Sequence, residues 1–577
     1  MDAHKISIRE IFTGARKLEV PFYQRAYVWK EDQWERLMED LAFISQTPSP
    51  YFMGSIILKK GKVNTWDCYA DKKVVVDGQQ RLTTLILFFK AFCLLSDCID
   101  TFDKIYRLED KEKSIALSLG MSDIESFNNV MSSDSKNAID VKNSASNIIP
   151  AFNYFLTHIE IEKYNRNIIE QNLQFVCIDL DETEDEQQVF NTINSLGVRL
   201  TTAELLKNYF YTKEDIEQYK TDWEATFEKD DETISYWNQE IEAGRVIKSL
   251  IDVFFEAYFQ LFIQNPDYKV SADDKNDYSR IDHIAQSYQE FIKKYCKDDK
   301  KAVLASMAEY ANKFKELFDP SCIDKQMSKD IGINRINVII FGLKNSTLIP
   351  YILYAAKHVS DNDELNRIYK ILEIYIMRRI VAKETTKNYN NLFTSLILNK
   401  IITADDLIDK LSKDKDLSSS IPSDKDLSEG FKSSKLTNLQ AKGIIYFIEA
   451  GIRPEMSSTA LLGFKQYSLE HLMPKKWRNH WDKPAGESED ARDKTLLTLG
   501  NLAIITQALN ASVRDSDWLT KKAGKKDNPG LDSCAAGLLT MENVLSESAW
   551  TETKIAARAE WLYEKAKNLW CICTDAS

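Results

Sequence analysis

The spacing of apolar residues changes once along this chain, after its first third, and that change constrains the fold more than any other feature. Before it, short β-branched or apolar runs at residues 52–58, 73–76 and 175–178 predict strands, while residues 34–41 carry apolar side chains at helical spacing. From about 215 to 402 the pattern is almost wholly helical. The sequence therefore predicts a multidomain α+β protein, mostly helical, with an α/β domain at its N-terminus.

The length of the chain indicates several domains. At 577 residues the chain exceeds what one ordinary core accommodates. Residues 413–435 are rich in Lys, Asp and Ser and lack a sustained apolar period, which is typical of a linker or long loop. We therefore predict an α/β domain at 1–214, a helical domain at 215–410, a linker or long loop at 411–437, and a C-terminal domain with flanking helices at 438–577.

The composition predicts a cytoplasmic protein with reduced thiols and no membrane partner. The longest apolar stretch, at 82–95, is interrupted by Lys90 and is too short to span a bilayer, and no secretory signal is visible. The nine cysteines are scattered and the six histidines are dispersed, so we expect neither a disulfide framework nor structural zinc. The net charge of −13 argues against indiscriminate coating of nucleic acid, so any DNA contact must be local.

A candidate catalytic set lies in the last quarter of the chain. The stretch EHLMP at 470–474 is followed by GNL at 500–502 and by LN at 509–510. A neutral His471 could deprotonate a water that attacks phosphorus, and Glu470 and Asn510 could give oxygen ligands to one divalent cation. Asn501 would hold the imidazole or the turn in place. The alternative is a half-buried histidine on an apolar turn.

A second candidate site lies at residues 72–85, KKVVVDGQQRLTTL, which predict a strand, a glycine turn and a helix start. Free N–H groups at such a helix start favour phosphate, Arg81 adds a bidentate donor, and Asp77 could position a metal or a water. The alternative is an ordinary turn with Arg81 paired to a carboxylate. No Walker-type phosphate loop occurs in the sequence.

Two further segments carry residues of the same kind. Residues 20–29, VPFYQRAYVW, combine aromatic rings with an arginine, so they could stack on bases and grip phosphate, or the rings could simply belong to the core. Residues 190–200 carry asparagines and an arginine that could complete the phosphate site. They precede a capping box formed by Thr201 and Glu204, and a capped surface helix is the alternative there.

Together these motifs resemble the GmrSD-type modification-dependent restriction enzymes. The family's marks PxYQRxYxW, DGQQRLTT and NxxGxxL before a helix start all occur, in order, and the C-terminal stretch is similar to its EHxxP, LGNL, LN and Lys series. The pair Arg378-Arg379 with Asn388 also looks like the helical middle of the family, although an arginine pair on a helix is usually a solvated face or a salt bridge.

The resemblance implies an N-terminal domain related to the ParB/sulfiredoxin nucleotide-binding fold and a C-terminal His-Asn-His, or ββα-metal, nuclease domain. It also implies residue roles. The residues implied in nucleotide or modified-DNA contact are Tyr23, Gln24, Arg25, Asp77, Gly78, Gln79, Gln80 and Arg81. The residues implied in catalysis are His471, Asn501, Asn510 and Lys522, with Glu470 and Asn510 as metal ligands. Glu470 departs from the aspartate of many His-Asn-His enzymes, and its longer side chain puts direct metal ligation in doubt.

The resulting hypothesis is a type IV-like restriction endonuclease in phage defence, gated by a nucleoside triphosphate and dependent on Mg²⁺ or Mn²⁺. Its implied partners are double-stranded DNA carrying a modification, of phage or phosphorothioate type, and GTP, ATP or another triphosphate; a homodimer is compatible with the sequence. Two alternatives remain: an NTPase whose C-terminal site is degenerate, and a DNA-modification reader that cleaves nothing.

Overall fold

The chain divides into two compact units, Met1–Ile216 and Glu217–Ser577, which are described separately. The protein is represented by a computed structural model in which helices predominate over a small mixed sheet. It describes residues 2–13, 16–21, 24, 26–47, 49–61, 71–110, 113–140, 146–181, 201–211, 215–244, 246–278, 284–413, 419–454, 459–484, 486, 488–525 and 528–572.

The first unit is built on a mixed sheet of six described strands in the order β1-β6-β3-β4-β2-β5. The strands are β1 Asp2–Ser7, β2 Arg16–Glu19, β3 Tyr51–Lys60, β4 Asp71–Asp77, β5 Leu117–Ser118 and β6 Leu173–Leu180. Strand β6 pairs antiparallel with β1 and parallel with β3, β3 pairs antiparallel with β4, and β2 pairs parallel with β4 and β5. Among the described strands, β1 therefore lies at an edge of the sheet and pairs with β6 alone.

The helix Gln79–Leu95 is the centre of the first unit's core. Every residue from Leu82 to Leu94 is buried, as expected of a helix that is apolar on all sides. Other helices surround it, and several of their apolar side chains join the same core cluster. The other helices of this unit are Ile8–Phe12, Glu31–Gln46, Ile99–Tyr106, Met121–Ser132, Ile148–His158, Arg166–Asn172 and Thr202–Phe210, with a 3₁₀ turn at Ile161–Lys163.

The second unit is helical apart from three two-stranded ribbons in its described part. These ribbons pair β7 Glu240–Ala243 with β8 Val246–Ser249, β9 Tyr467–His471 with β10 Leu502–Thr506, and β11 Gly524–Lys525 with β12 Asn528–Pro529. Its α-helices, counting Ile216–Tyr219 at the boundary, are Ile216–Tyr219, Ala225–Phe227, Asp231–Asn238, Leu250–Gln264, Ala272–Tyr278, Ile284–Tyr295, Lys300–Leu317, Ile333–Asn337, Ile349–His358, Asn362–Val381, Tyr389–Leu398, Ala404–Lys413, Asp424–Ser433, Asn438–Ile452, Glu489–Thr495, Gln507–Val513, Trp518–Ala523, Leu531–Cys534, Glu542–Leu545 and Glu552–Leu569. Lys220–Glu224 and Val338–Gly342 are π-helical, and 3₁₀ turns lie at Pro266–Tyr268, Pro320–Asp324, Ser346–Leu348, Phe464–Gln466, Trp477–Asn479, Leu499–Asn501 and Leu539–Met541.

None of the helices in the described segments combines the length and apolar character needed to cross a lipid bilayer.

The local predictions agree with the structure where the pattern was strong. The three predicted strands lie inside β3, β4 and β6, and the apolar positions of residues 34–41 form the buried face of the helix Glu31–Gln46. Thr201 and Glu204 form the predicted capping box. The division of residues beyond 214 into a helical domain and a C-terminal domain stays a prediction, since both fall in one compact unit.

The predicted linker or long loop at 411–437 is wrong over Asp424–Ser433, which is a helix. Ser423 and Asp426 form its capping box, and Leu427 and Phe431 are fully buried. A β-carbon on Gly430 would collide with the backbone of Val381, so this helix packs unusually closely on its neighbour. A helix with so few apolar residues gives too short a stripe to be recognised in the sequence.

Two buried arginines hold the segment of chain that precedes the helix Asp424–Ser433. The guanidinium of Arg378 donates to the carbonyls of Trp570 (2.8 Å) and Pro422 (2.9 Å) and to the carboxylate of Asp424 (2.6 Å). Arg379 donates to the carbonyl of Ser420 at 2.9 Å. Both arginine side chains are fully buried, so the interpretation of this pair as a solvated face is wrong. Their burial follows from the carbonyls that surround them, which a sequence pattern does not reveal.

We expect Arg378→Met to lower the free energy of unfolding by about 3 kcal/mol, because it leaves buried carbonyls without donors. Denaturant unfolding of the purified protein measures the change. The matched control is Arg367→Met on the same helix. Arg367 is 45% exposed and pairs with Glu364 and Asp405 at the surface, so its loss should cost less than about 1 kcal/mol. Equal losses in the two variants would contradict the assignment.

Candidate active site

The C-terminal motif folds into two antiparallel strands followed by a helix. His471 ends β9 and lies opposite Leu502, which begins β10, and Glu470 lies opposite Ala503. The helix Gln507–Val513 follows directly, with Thr506 as its N-cap. Three parts of the chain that are up to 40 residues apart in sequence are therefore held on one small scaffold.

His471 is half-buried, and its ring has no hydrogen-bond partner among the described residues. Burial, together with the positive charges of Lys475 and Lys521, lowers the pKa of its imidazole to about 4. The charged form is disfavoured because the ring is partly removed from water and faces two cations. At neutral pH the imidazole is therefore unprotonated and able to accept a proton.

The lowered pKa predicts a specific pH dependence. The unfolded histidine takes up a proton near pH 6.5, whereas the folded one stays neutral until about pH 4. The unfolded state thus binds more protons between these values, so the contribution of His471 to stability is lost as the pH falls through this window. An NMR titration of histidine ring protons, with His471→Gln to assign the signal, should give a midpoint near pH 4. A midpoint near 6.5 would contradict the predicted environment.

Asn501 holds the turn after His471 and is fully buried. Its amide group donates to the carbonyls of Met473 (2.8 Å) and Leu496 (3.0 Å), and its carbonyl oxygen accepts from the backbone of Met473 (2.9 Å) and the indole of Trp550 (3.0 Å). These bonds use both amide hydrogens and both lone pairs. Asn501 was expected to hold either the imidazole or the turn, and these contacts support holding the turn.

Gly500 and Arg558 support the same turn, and neither role was predicted. A β-carbon on Gly500 would collide with the carbonyl of Ile555, so glycine allows the helix Glu552–Leu569 to approach the turn. From that helix, Arg558 donates to the carbonyls of Gly500 (2.9 Å) and Leu502 (2.7 Å), and burial lowers its pKa to about 9. The one signal in the sequence is an arginine within the apolar stripe of a helix.

Glu470 forms a buried ion pair with Lys521, so it does not fit the predicted metal ligand as it stands. Its carboxylate contacts the ammonium of Lys521, which also donates to the carbonyl of His471 at 2.8 Å. Burial raises the pKa of the Glu470 carboxyl and lowers the pKa of the Lys521 ammonium, although each charge partly offsets the shift of the other. A cation at this carboxylate would have to displace a lysine that has no exposed surface.

The other two predicted residues make different contacts. Asn510 is attached to β9, because its amide group donates to the hydroxyl of Ser468 (2.9 Å) and the carbonyl of Leu469 (3.0 Å). Lys522 donates to the carbonyl of Glu547 at 3.2 Å. The lysine that contacts Glu470 and the carbonyl of His471 is therefore Lys521, and a catalytic role for Lys522 stays a prediction.

In the first unit, the predicted strand, glycine turn and helix are all present. Asp77 ends β4, Gly78 caps the helix with a φ of 100°, and Gln79 begins it. A β-carbon on Gly78 would also crowd the side chain of Ile56 at 2.6 Å. The turn therefore requires glycine both for its left-handed backbone and for close packing.

Arg81 is engaged by the protein itself. Its guanidinium donates to the carbonyls of Met53 (3.1 Å) and Ser55 (2.6 Å) and pairs with Asp77 at 3.2 Å. It spans the irregular register of β3 against β6, where Gly54 leaves room for it. The arrangement is the alternative considered for this motif, an arginine paired to a carboxylate, and these contacts occupy donors that were assigned to phosphate.

Gln24 and Gln80 attach the extended segment before residue 30 to this turn. Gln80 accepts from the backbone of Val28 at 2.9 Å and donates to the carbonyl of Ala26 at 3.2 Å, and buried Gln24 donates to the carbonyl of Val75 at 2.7 Å. A narrow, shallow pocket opens beside the helix start. Its lining residues are Val20, Gln24, Tyr27, Gln79, Gln80, Thr83, Leu119, Gly120 and Asp123.

The pocket includes three of the predicted nucleotide residues and one buried acid. Burial raises the pKa of Asp123, which accepts from the backbone of Tyr27 at 2.6 Å. Tyr27 itself is core, as its hydroxyl bonds Thr84 and the indole of Trp34. Tyr23, Arg25 and the segment 190–200 lie outside the described residues. The described lining offers amides and a helix start but no Lys or Arg side chain.

Comparison with protein families identifies one segment in the N-terminal part of the chain and one in the C-terminal part. Residues 8–211 match the model described as GmrSD restriction endonuclease, N-terminal domain, and residues 421–565 match that of GmrSD restriction endonucleases, C-terminal domain. A search of curated proteins finds no match. The two matched segments cover more than half of the chain and contain the two sites described above. The chain belongs to the GmrSD restriction endonuclease family.

Proposed function

We propose that this protein is a modification-dependent, type IV DNA restriction endonuclease of phage defence, and that His471 is its general base. The observation that carries the proposal is a half-buried imidazole at the end of β9, whose backbone is anchored on both sides, within the segment that matches the family's C-terminal domain. In hydrolysis the imidazole accepts a proton from water as the water oxygen bonds to phosphorus, and the bond from phosphorus to the leaving sugar oxygen breaks.

The surrounding residues act by fixing this base. Asn501 holds the turn at Met473, Arg558 holds the carbonyls around Asn501, and Lys521 binds the His471 carbonyl. Each anchor is buried, so the backbone that carries the imidazole is held in place. The β9, β10 and following helix order is the one expected of a ββα-metal nuclease, and we include that fold in the proposal.

Dependence on Mg²⁺ or Mn²⁺ stays a proposal that rests on the resemblance. The described side chains do not supply the predicted ligand pair, because Glu470 is already paired with Lys521. The carbonyl oxygen of Asn510 remains a candidate ligand, since its described hydrogen bonds use only the amide hydrogens. When bound, such a cation would polarise the phosphate and offset its charge.

Nucleotide gating by GTP, ATP or another triphosphate is likewise a proposal. It is supported by the helix start at Gly78 and by the amide side chains of Gln24, Gln79 and Gln80 beside it. A nuclease able to cut host DNA needs control, and a nucleotide that binds one state of the protein better than another could supply it.

The test is digestion of unmodified, glucosylated-hydroxymethylcytosine and phosphorothioate DNA, each with and without triphosphate and divalent cation. We expect cleavage of one modified substrate only, and with both additions. Binding of modified DNA without cleavage under any condition would instead favour a non-enzymatic reader, and triphosphate hydrolysis without cleavage would favour an NTPase with a degenerate C-terminal site.

Arg81→Ala tests the nucleotide site by calorimetric titration of the triphosphate. We expect weaker binding, because the variant loosens the β3 carbonyls and the turn at Gly78. The matched control is Arg107→Ala, since Arg107 is also about one-fifth exposed, pairs with an aspartate and donates to two carbonyls in the same unit. An unchanged titration for Arg81→Ala would count against the assignment, and equal losses in both variants would indicate a general loss of folding.

A further inference from the structure

The pairing of β1 with β6 brings four possible metal ligands onto one face of the sheet. In the antiparallel register His4 lies opposite Cys177 and Asp2 lies opposite Asp179. Directly opposed residues share a face, and so do residues two positions apart on one strand. All four side chains therefore start from the same face, although 173 residues separate His4 from Cys177.

The ligand atoms of three of these residues are already close together. A ring nitrogen of His4, the sulfur of Cys177 and a carboxylate oxygen of Asp179 all lie within 4.8 Å of one another. Ligands on a tetrahedral zinc ion, at about 2.0–2.3 Å from the metal, are about 3.5 Å apart. Small side-chain rotations of the partly exposed His4 and Asp179 would close the difference.

The charges near this place are mixed: the carboxylates of Asp2 and Asp179 attract a cation, while Lys73 and Arg16 each already pair with a carboxylate. A carboxylate oxygen of Asp2 lies 3.8 Å from Nδ1 of His4, beyond hydrogen-bond distance, and its charge favours a proton on that nitrogen, which would leave Nε2 for a metal. Lys73 binds one oxygen of Asp179 at 3.1 Å and leaves the other oxygen available. One thiolate and one carboxylate would neutralise a doubly charged ion, and a mixed nitrogen, sulfur and oxygen set favours zinc over magnesium or calcium.

We propose that His4, Cys177 and Asp179 bind a Zn²⁺ ion that fastens the edge strand β1 to β6. Water completes the tetrahedron, and the charge of Asp2 favours the proton on Nδ1 of the imidazole. On binding, the sulfur–hydrogen bond of Cys177 breaks, its proton leaves to solvent, and the sulfur electron pair bonds to the metal. Within the described residues this is the group of three such side chains that meets the geometry, and it lies in a different unit from His471.

Titration of the metal-free protein with Co²⁺, followed by competition with Zn²⁺, tests the site without DNA or nucleotide. We expect one tightly bound ion per chain, with the near-ultraviolet band of a thiolate bound to Co²⁺. Cys177→Ser should remove that band and weaken the affinity by at least about 100-fold. Cys534→Ser, which removes an exposed thiol elsewhere, should change neither.

Two further measurements keep the outcome interpretable. Should Cys177→Ser fail to fold, His4→Gln at the exposed edge removes a ligand without disturbing the core, and it should also lose binding. Amide exchange of β1 should slow when Zn²⁺ is added to the wild type but not to His4→Gln. Absence of the thiolate band from the wild type, or its persistence in Cys177→Ser, would overturn the proposal. Neither result bears on cleavage by the His471 site.

Discussion

Replacing His471 with Gln is expected to reduce the rate of DNA cleavage by about 10²–10⁴-fold, the range lost when a general base is removed. Glutamine fills a similar volume but cannot accept the proton of an attacking water. Because the ring has no described hydrogen-bond partner, the variant should fold and bind DNA as the wild type does. Single-turnover cleavage of a modified substrate measures the rate, and gel-shift titration measures DNA binding.

His480→Gln is the matched control for this experiment. It removes an exposed imidazole nine residues away, outside the anchors of the strand end, and should leave cleavage unchanged. Full cleavage by His471→Gln would refute the general-base role. Equal losses in the two variants would show that the effect is not specific to the ring on β9.

Replacing Lys521 with Met is expected to lower the free energy of unfolding by about 3–5 kcal/mol, the usual cost of leaving one member of a buried ion pair without its partner. Glu470 is 6% exposed, so its carboxylate would then have no counter-charge and little water. The carbonyl of His471 would lose its donor as well. Cleavage should fall together with stability because the strand end carrying the base is loosened.

A control and a double variant distinguish the cost of breaking the Glu470–Lys521 ion pair from the cost of removing one positive charge. Lys525→Met removes one exposed charge four residues away and should change unfolding by less than about 0.5 kcal/mol. The double variant Glu470→Gln with Lys521→Met should regain much of the stability lost by Lys521→Met alone, because the uncompensated charge is gone. A double variant as unstable as the sum of the single ones would show that the pair does not interact.

The same variants decide what Glu470 contributes to metal binding. Electron paramagnetic resonance of added Mn²⁺ reports bound and free ion without any cleavage. If Glu470 can act as a ligand, Lys521→Met should bind Mn²⁺ more tightly than the wild type, and adding Glu470→Gln should abolish the gain. Equal Mn²⁺ binding in all three proteins would assign Glu470 and Lys521 a structural role alone.

Local signals explain the parts of the fold that sequence predicted. Alternating or helical spacing of apolar residues within one segment indicates its secondary structure and its buried face. The strands β3, β4 and β6 and the helix Glu31–Gln46 were therefore predictable. The capping box at Thr201 depends on residues three positions apart and was equally readable. The helix Asp424–Ser433 was missed because its formation depends on burial of two side chains against distant neighbours.

The same distinction between local patterns and long-range contacts applies to the candidate functional residues. His471, Asn501 and the turn at Gly78 were predicted as candidates because their motifs are contiguous or nearly so, and the family models match the segments that contain them. The residues that these side chains contact were not predicted. Arg81 was assigned to phosphate, whereas it binds the carbonyls of Met53 and Ser55, which lie 28 and 26 residues away in sequence.

By itself, the sequence determined the family, the mostly helical composition with an α/β start, and the position of a candidate base at His471. Only the tertiary structure decided that Lys521 rather than Lys522 meets Glu470, and that His4 faces Cys177. Neighbouring residues on a helix point about 100° apart, so the lysine that turns inward depends on which face the rest of the protein buries. Contacts between distant segments depend on strand register and packing, which no local pattern encodes.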